Sequence, residues 1–258
     1  MNVEDVGEGP PVVLTHGWVV GHEMWEYAAA RLAAGGMRVV SIDRRGCGRS
    51  DHPDRGFDFD TLADDLAAVV DALELRDLTL VAHSMGGPEA VRMITRTAAE
   101  RVGRLVLVAT TTPGPPAGME PDEAAMEELV GGLREDRPAY VRAGVPGFFG
   151  EPDSVSAEMA DWAVGLTLRA SPLASIGLME AMATTDTAAD LSSCPVPALV
   201  LHGDADVSSP LELTGRPTAE LLPDASLKVY EGAPHGLPLT HAARIASDVL
   251  DFAAGLTP

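Results

Sequence analysis

Leu78-Thr79-Leu80-Val81-Ala82-His83-Ser84-Met85-Gly86-Gly87 is the stretch on which the fold turns. Residues 78–82 form a short apolar run, which predicts a buried strand, and a helix is predicted from near Met85. The turn between them is tight. Two positions before and after Ser84 the backbones approach each other, so small side chains are required there. Ala82 and Gly86 satisfy this, although glycine is commoner than alanine at the first position. Such a turn lifts the Ser84 hydroxyl above the sheet and aims a helix N-terminus at any anion formed beside it.

Similar apolar runs recur outward from this unit, at residues 12–15, 38–42, 105–109, 197–202 and 226–230, each closed by Gly, Asp, Ser or His. Helical periods separate most of them. Leu62, Leu66, Val69, Val70 and Leu73 share one face, and Ile245, Val249 and Phe252 share another near the end. Strands that are apolar throughout and alternate with helices predict an α/β fold with a mostly parallel sheet covered on both faces. One gap breaks the alternation. Residues 112–190 exceed what a crossover needs and carry helical stripes, one of them Met126, Leu129, Val130 and Leu133. The expected organisation is a core of residues 1–111 and 191–258, with residues 112–190 inserted as a helical cap.

The 258 residues carry 18 Lys+Arg against 39 Asp+Glu, a formal charge of −21, which argues against nucleic acid or an anionic membrane as partner. No apolar run reaches the ~18 residues of a membrane helix, and the acidic amino terminus lacks the regions of a signal peptide. A cytoplasmic location is expected, with Cys47 and Cys194 as unpaired thiols. Cys47 follows a strand and Cys194 precedes one, which places them at opposite ends of a parallel sheet.

A serine needs a base, and the base an orienting acid. His235, in Glu231-Gly232-Ala233-Pro234-His235-Gly236, follows the last strand. His202-Gly203-Asp204-Ala205-Asp206 follows the strand before it and offers two carboxylates. All of these lie at carboxyl ends of parallel strands, where open α/β sheets place their sites. Read as a metal cluster, His202, Asp204 and Asp206 match no usual catalytic set. His16, His83 and His241 are expected to be structural neighbours of the loops.

Together these residues resemble the α/β-hydrolase superfamily over nearly the whole chain. More closely they resemble its bacterial arylesterase and cofactor-free haloperoxidase (perhydrolase) branch. The resemblance rests on His16-Gly17-Trp18, on Asp43 through Asp51 (DRRGCGRSD), on the Ser84 turn, on the Asp204/Asp206 loop and on Gly232 through Gly236 with Thr240-His241. It implies Ser84 as nucleophile, His235 as base and Asp206 as acid, with Asp204 stabilising its loop. It also implies an oxyanion hole from the backbone N–H groups of Trp18 and Met85. Hydrolysis of small carboxylic esters or lactones through an acyl-enzyme is expected, with weak perhydrolysis as a side reaction and no metal or organic cofactor. A C–C bond or lactone hydrolase with the same triad is the alternative, and a receptor-like ligand-binding member with little turnover is another. A homo-oligomer is left open.

Substrate contacts are expected from Val19, Phe148, Phe149, Ser208, Leu211 and Leu237, with Trp162 and the methionines of the cap as further candidates. Perhydrolase-like relatives often carry proline where Val19 stands, so Val19 places the chain with the esterases. Relatives carry bulkier residues at Pro115, Ser208 and Leu211, which implies a wider pocket here. Two departures stand out. The first strand usual in the family is absent and the second is expected as at most a stub near Val3–Val6. Ser209, Pro210 and Glu212 read as the start of a helix that Pro217 should break or kink. The loop from Asp43 to Asp51 is expected to be held by its own Arg–Asp pairs.

Overall fold

The computed structural model describes residues 1–116, 119, 121–150 and 154–256. Among the described residues seven strands form one sheet: β1 (Asn2–Val6), β2 (Pro11–Thr15), β3 (Arg38–Asp43), β4 (Leu78–His83), β5 (Val102–Val108), β6 (Ala198–Gly203) and β7 (Ala225–Tyr230). Their spatial order is β1-β3-β2-β4-β5-β6-β7. All neighbouring pairs run parallel except β1 with β3. The stub expected near Val3–Val6 is thus a five-residue strand, paired from Asn2 against Asp43 to Val6 against Val39.

Every residue of β4 and β6 is buried, as strands covered on both faces require. On one face the helices Phe59–Ala72, Gly86–Met93 and Ala188–Ser193 pack through Leu66, Val70, Val91 and Leu191. Asp58 caps the first of these by accepting from the Thr61 N–H at 2.9 Å. On the other face Glu26–Ala34 and Ala242–Ala253 bury Leu32, Ile245 and Val249 around Trp25. No helix among the described residues is long and apolar enough to cross a membrane.

Between β5 and β6 the chain forms Glu123–Glu135, Arg137–Ala143, Val145–Phe149, Ala157–Leu168 and Pro172–Thr184 before Ala188–Ser193. Asp122, Ser156 and Ser171 each cap a helix by accepting from the N–H three residues on. This helical layer is tied to the sheet at several points. Trp18 Nε1 donates to the Ser175 carbonyl (3.0 Å), and the N–H of Ser171 to that of Gly46 (2.9 Å). Arg169 pairs with Glu23 at 2.6 Å.

Two local expectations are corrected. Pro210 opens a turn, with Leu213 and Thr214 N–H groups donating to its carbonyl, and the helix begins only at Gly215. Ser209 is not its cap. Pro217 therefore falls in the first turn of Gly215–Leu221, where its missing N–H has no intrahelical role, so nothing breaks there. The loop after β3 is not held by Arg–Asp pairs of its own. Arg44 pairs with Glu89, Arg45 with Asp65 and Arg49 with Glu23, while Asp43 accepts from the Arg49 N–H at 2.9 Å.

Candidate active site

Ser84 follows β4 directly with φ +52°, a left-handed value that costs a non-glycine residue free energy. Surrounding contacts hold it there. Its N–H donates to the Val108 carbonyl (2.9 Å) and its own carbonyl accepts from Gly87 (2.9 Å). A Cβ on Gly86 would stand 3.1 Å from the His16 carbonyl oxygen, and one on Gly87 2.2 Å from Thr110 Oγ1. Small residues are what let this helix press against the sheet and leave the hydroxyl at its top.

His235 and Asp206 come from the loops after β7 and β6. Asp206 Oδ1 accepts from the N–H groups of Ser208 (2.9 Å) and Ser209 (2.7 Å), which fixes the carboxylate plane. Its Oδ2 accepts from His235 Nδ1 at 2.7 Å, leaving His235 Nε2 to accept from the Ser84 hydroxyl at 2.9 Å. Burial opposes ionisation of Asp206, yet bonds from His202, His235 and Ser209 outweigh it and hold the carboxyl well below the usual range. Asp204 stands apart, accepting from the Gly232 N–H at 2.7 Å. The three side chains singled out for a triad are therefore hydrogen-bonded in series, and Asp204 serves its loop.

Above Ser84 lies a cavity of about 340 Å³, toward the lower end of the ligand-pocket range of about 300–1,000 Å³. Gly17, Trp18, Phe148, Phe149 and Ser208 line it, as do Met179 and Met182. The N–H groups of Trp18 and Met85 make no hydrogen bond among the described residues. Phe148 stacks edge-on against His235, and its carbonyl accepts from the Gly236 N–H at 2.7 Å. No Lys, Arg, Asp or Glu is among the described residues that line the cavity.

Three expected substrate contacts lie elsewhere. Val19 is fully buried at φ +45° among Cys47, Phe57, Phe59 and Met85, because the chain turns under the loop just after Trp18. Leu237 packs into the core beneath Tyr230 and Ala233, and Leu211 is buried in the turn before the helix at Gly215. Pro115 does not line the cavity either, and Trp162 packs edge-on against Tyr27 instead. Cys47 and Cys194 are free and buried, and burial pushes the Cys47 thiol up to about 12.

Other residues at the site were not legible in the sequence. Tyr140, Val141, Val164 and Thr167 reach the cavity from helices of the 112–190 segment, where helical spacing marks a stripe but not which stripe faces Ser84. Beneath the loop, Arg44 and Glu89 form a fully buried ion pair. A glutamate on the apolar face of Gly86–Met93 was the available signal. A second buried group joins His22, Glu23 and Asp43. Asp43 takes N–H bonds from His22 and Arg49, and Glu23 pairs with Arg169. Burial opposes charge on His22, but Asp43, Glu23 and Glu4 outweigh it and raise its affinity for a proton.

Comparison with known proteins agrees with this fold. Residues 12–248 match the alpha/beta hydrolase family. The non-heme chloroperoxidase CPO-A1 of Kitasatospora aureofaciens is 35% identical, over 96% of this chain and 94% of its own length. A bifunctional esterase/perhydrolase of Acinetobacter calcoaceticus is 33% identical over 95% and 92%. The crystal structure of a bromoperoxidase from Bacillus anthracis superposes with a TM-score of 0.92 at 35% identity, covering 98% of this chain and 94% of that one. With the sheet order, the turn at Ser84 and these matches in hand, the chain belongs to the alpha/beta hydrolase family.

Proposed function

We propose that the protein is a serine hydrolase of small, uncharged carboxylic esters or lactones. The series Asp206–His235–Ser84, with its 2.7 Å and 2.9 Å hydrogen bonds, is the observation that carries this reading. Ser84 Oγ attacks the acyl carbonyl as its proton passes to His235 Nε2. Asp206 keeps the imidazole in the Nδ1–H tautomer and stabilises the imidazolium. The N–H groups of Trp18 and Met85 receive the oxyanion, the second of them at a helix N-terminus where the backbone dipoles favour negative charge. His235 Nε2–H then protonates the departing alcohol. Water, deprotonated by the same imidazole, attacks the acyl-serine and releases the acid. Hydrogen peroxide in place of that water would release a peracid, the weak perhydrolase reaction.

The helical segment 112–190 acts in this reading as a cap that sets substrate size, since Tyr140, Phe148 and Met179 line the cavity with Ser84. An anionic substrate would need a cation in the cavity, and the described lining offers none. That favours neutral esters over a C–C hydrolase acting on a carboxylate-bearing substrate. A panel of p-nitrophenyl esters graded from acetate to octanoate tests the proposal. Turnover of the neutral esters, lost in Ser84→Ala, is expected. Equal turnover by Ser84→Ala, or none by the wild type, would overturn it.

A further inference from the structure

Three successive carbonyls lead into the loop that follows β2, and each is held from below. Trp25 Nε1 donates to the Thr15 carbonyl (3.2 Å). Arg44 Nη2 donates to that of His16 (2.8 Å) and Arg44 Nη1 to that of Gly17 (3.1 Å). The Gly17 carbonyl also takes a 2.7 Å bond from His16 Nδ1. The tautomer follows from the partners. His16 Nε2 accepts from the Arg44 N–H at 3.0 Å, so the ring's one proton sits on Nδ1 and points at Gly17. Burial and the neighbouring Arg44 push the His16 pKa down to about 3, so the ring is neutral near pH 7.

The Gly17 carbonyl belongs to the same peptide unit as the Trp18 N–H. In a trans peptide the two point in opposite directions. Pinning the oxygen onto the buried guanidinium therefore aims the N–H the other way, toward the side where Gly17 and Trp18 border the cavity beside Ser84. A cation on the carbonyl also draws electron density from the amide and makes its N–H a stronger donor. Arg44 is in turn fixed by Glu89, whose Oε2 accepts from Arg44 Nε (3.0 Å), Arg44 Nη2 (2.5 Å) and Thr15 Oγ1 (3.0 Å). Glu89 rides on the helix that starts two residues after Ser84. The nucleophile and the opposing loop thus share one brace.

We propose that Arg44, braced by Glu89, is a positioning residue for the oxyanion hole, setting the direction and the donor strength of the Trp18 N–H through the Gly17 carbonyl. This rests on Ser84 as the nucleophile. A fully exposed hydrogen-bonding role, or a purely structural ion pair, would make a different prediction. A buried pair often gives way to apolar residues of similar volume without loss of the fold, so stability and catalysis can be separated.

The test compares wild type with Arg44→Lys, with the double variant Arg44→Met/Glu89→Met, and with Arg45→Lys as a neighbouring control. Each is assayed for p-nitrophenyl butyrate turnover and for inhibition by an alkyl boronic acid, which forms a tetrahedral anion on the serine. Wild-type turnover, lost in Ser84→Ala, checks the nucleophile assignment separately. With a donor misaimed rather than deleted, kcat is expected to fall by about 10- to 50-fold in both Arg44 variants, with KM within about threefold. Boronate affinity should fall with kcat, and Arg45→Lys should stay within about twofold of wild type. Either folded Arg44 variant with kcat near wild type would overturn the proposal. So would a loss carried by KM alone, or failure of both variants to fold, which would make Arg44 a scaffold residue only.

Discussion

His83, the residue before Ser84, donates its Nε2–H to the backbone carbonyl of His235 at 3.0 Å. The strand that presents Ser84 thereby also steadies the loop that presents His235. The bond leaves Nδ1 without a proton, and that nitrogen is buried with no partner. A neutral ring is required at this place. Burial and the neighbouring His235 push the His83 pKa down to about 3.

This has a consequence for acid stability. His16 and His83 are both driven down to about 3 by burial, whereas the unfolded chain protonates them near 6.5. Each contributes stability that is complete above pH ~6.5 and is lost as pH falls toward 3. His22 works in the opposite sense: its contribution is complete below ~6.5 and is lost as pH rises through its raised value. Asp43 and Asp206, held below the usual range, lose theirs only below ~3.8. Between pH 6 and 4 the slope contributed by His83 alone is about 1 kcal/mol per pH unit. Urea unfolding across that range should show His83→Phe shallower than wild type by about this amount. Parallel slopes would mean that His83 is charged in the folded protein.

Gly17 packs closely against the turn that carries Ser84. A Cβ there would lie 2.7 Å from His83 Nδ1 and 3.2 Å from Ser84 Cβ. Gly17→Ala should therefore push the loop away from the nucleophile and lower kcat by at least about tenfold, since small displacements at a reacting centre cost that much. Folding should persist by circular dichroism. Wild-type kcat in a folded Gly17→Ala would show that the loop has slack.

Part of this was written in the sequence and part was not. The turn at Ser84 is local, because sterics between neighbours demand Ala82 and Gly86; places after strands point to His235 and to the Asp204/Asp206 loop, and only the family resemblance singles out Asp206. Val19, Leu211 and Leu237 look like pocket residues in a string, yet each turns into the core, which only the path of the backbone decides. The Arg44–Glu89 pair joins residues 45 positions apart and gave no spacing to read. Pro217 escapes the sequence for another reason: the same residue that breaks a helix interior is harmless in a first turn, and the helix starts only at Gly215.

The Ser208 side chain is a place where pocket width can be altered while its backbone N–H keeps the bond to Asp206. Its hydroxyl donates to the Gly147 carbonyl at 3.1 Å, and it lines the cavity from the loop after β6. Ser208→Phe should fill the space beside Phe148. Hydrolysis of p-nitrophenyl octanoate should fall by about tenfold or more relative to the acetate, the scale at which a blocked pocket discriminates chain length. An unchanged acetate-to-octanoate ratio would place the acyl chain on another wall.

A covalent acyl bond at Ser84 is the most direct test of catalysis by this serine. Wild-type protein mixed with p-nitrophenyl butyrate and quenched in acid within milliseconds should show, by intact mass, the addition of one butyryl group. Peptide mapping should place it on Ser84. Ser84→Ala should give neither adduct nor turnover. Turnover by the wild type with no trapped acyl group, or an adduct on any other residue, would contradict the account.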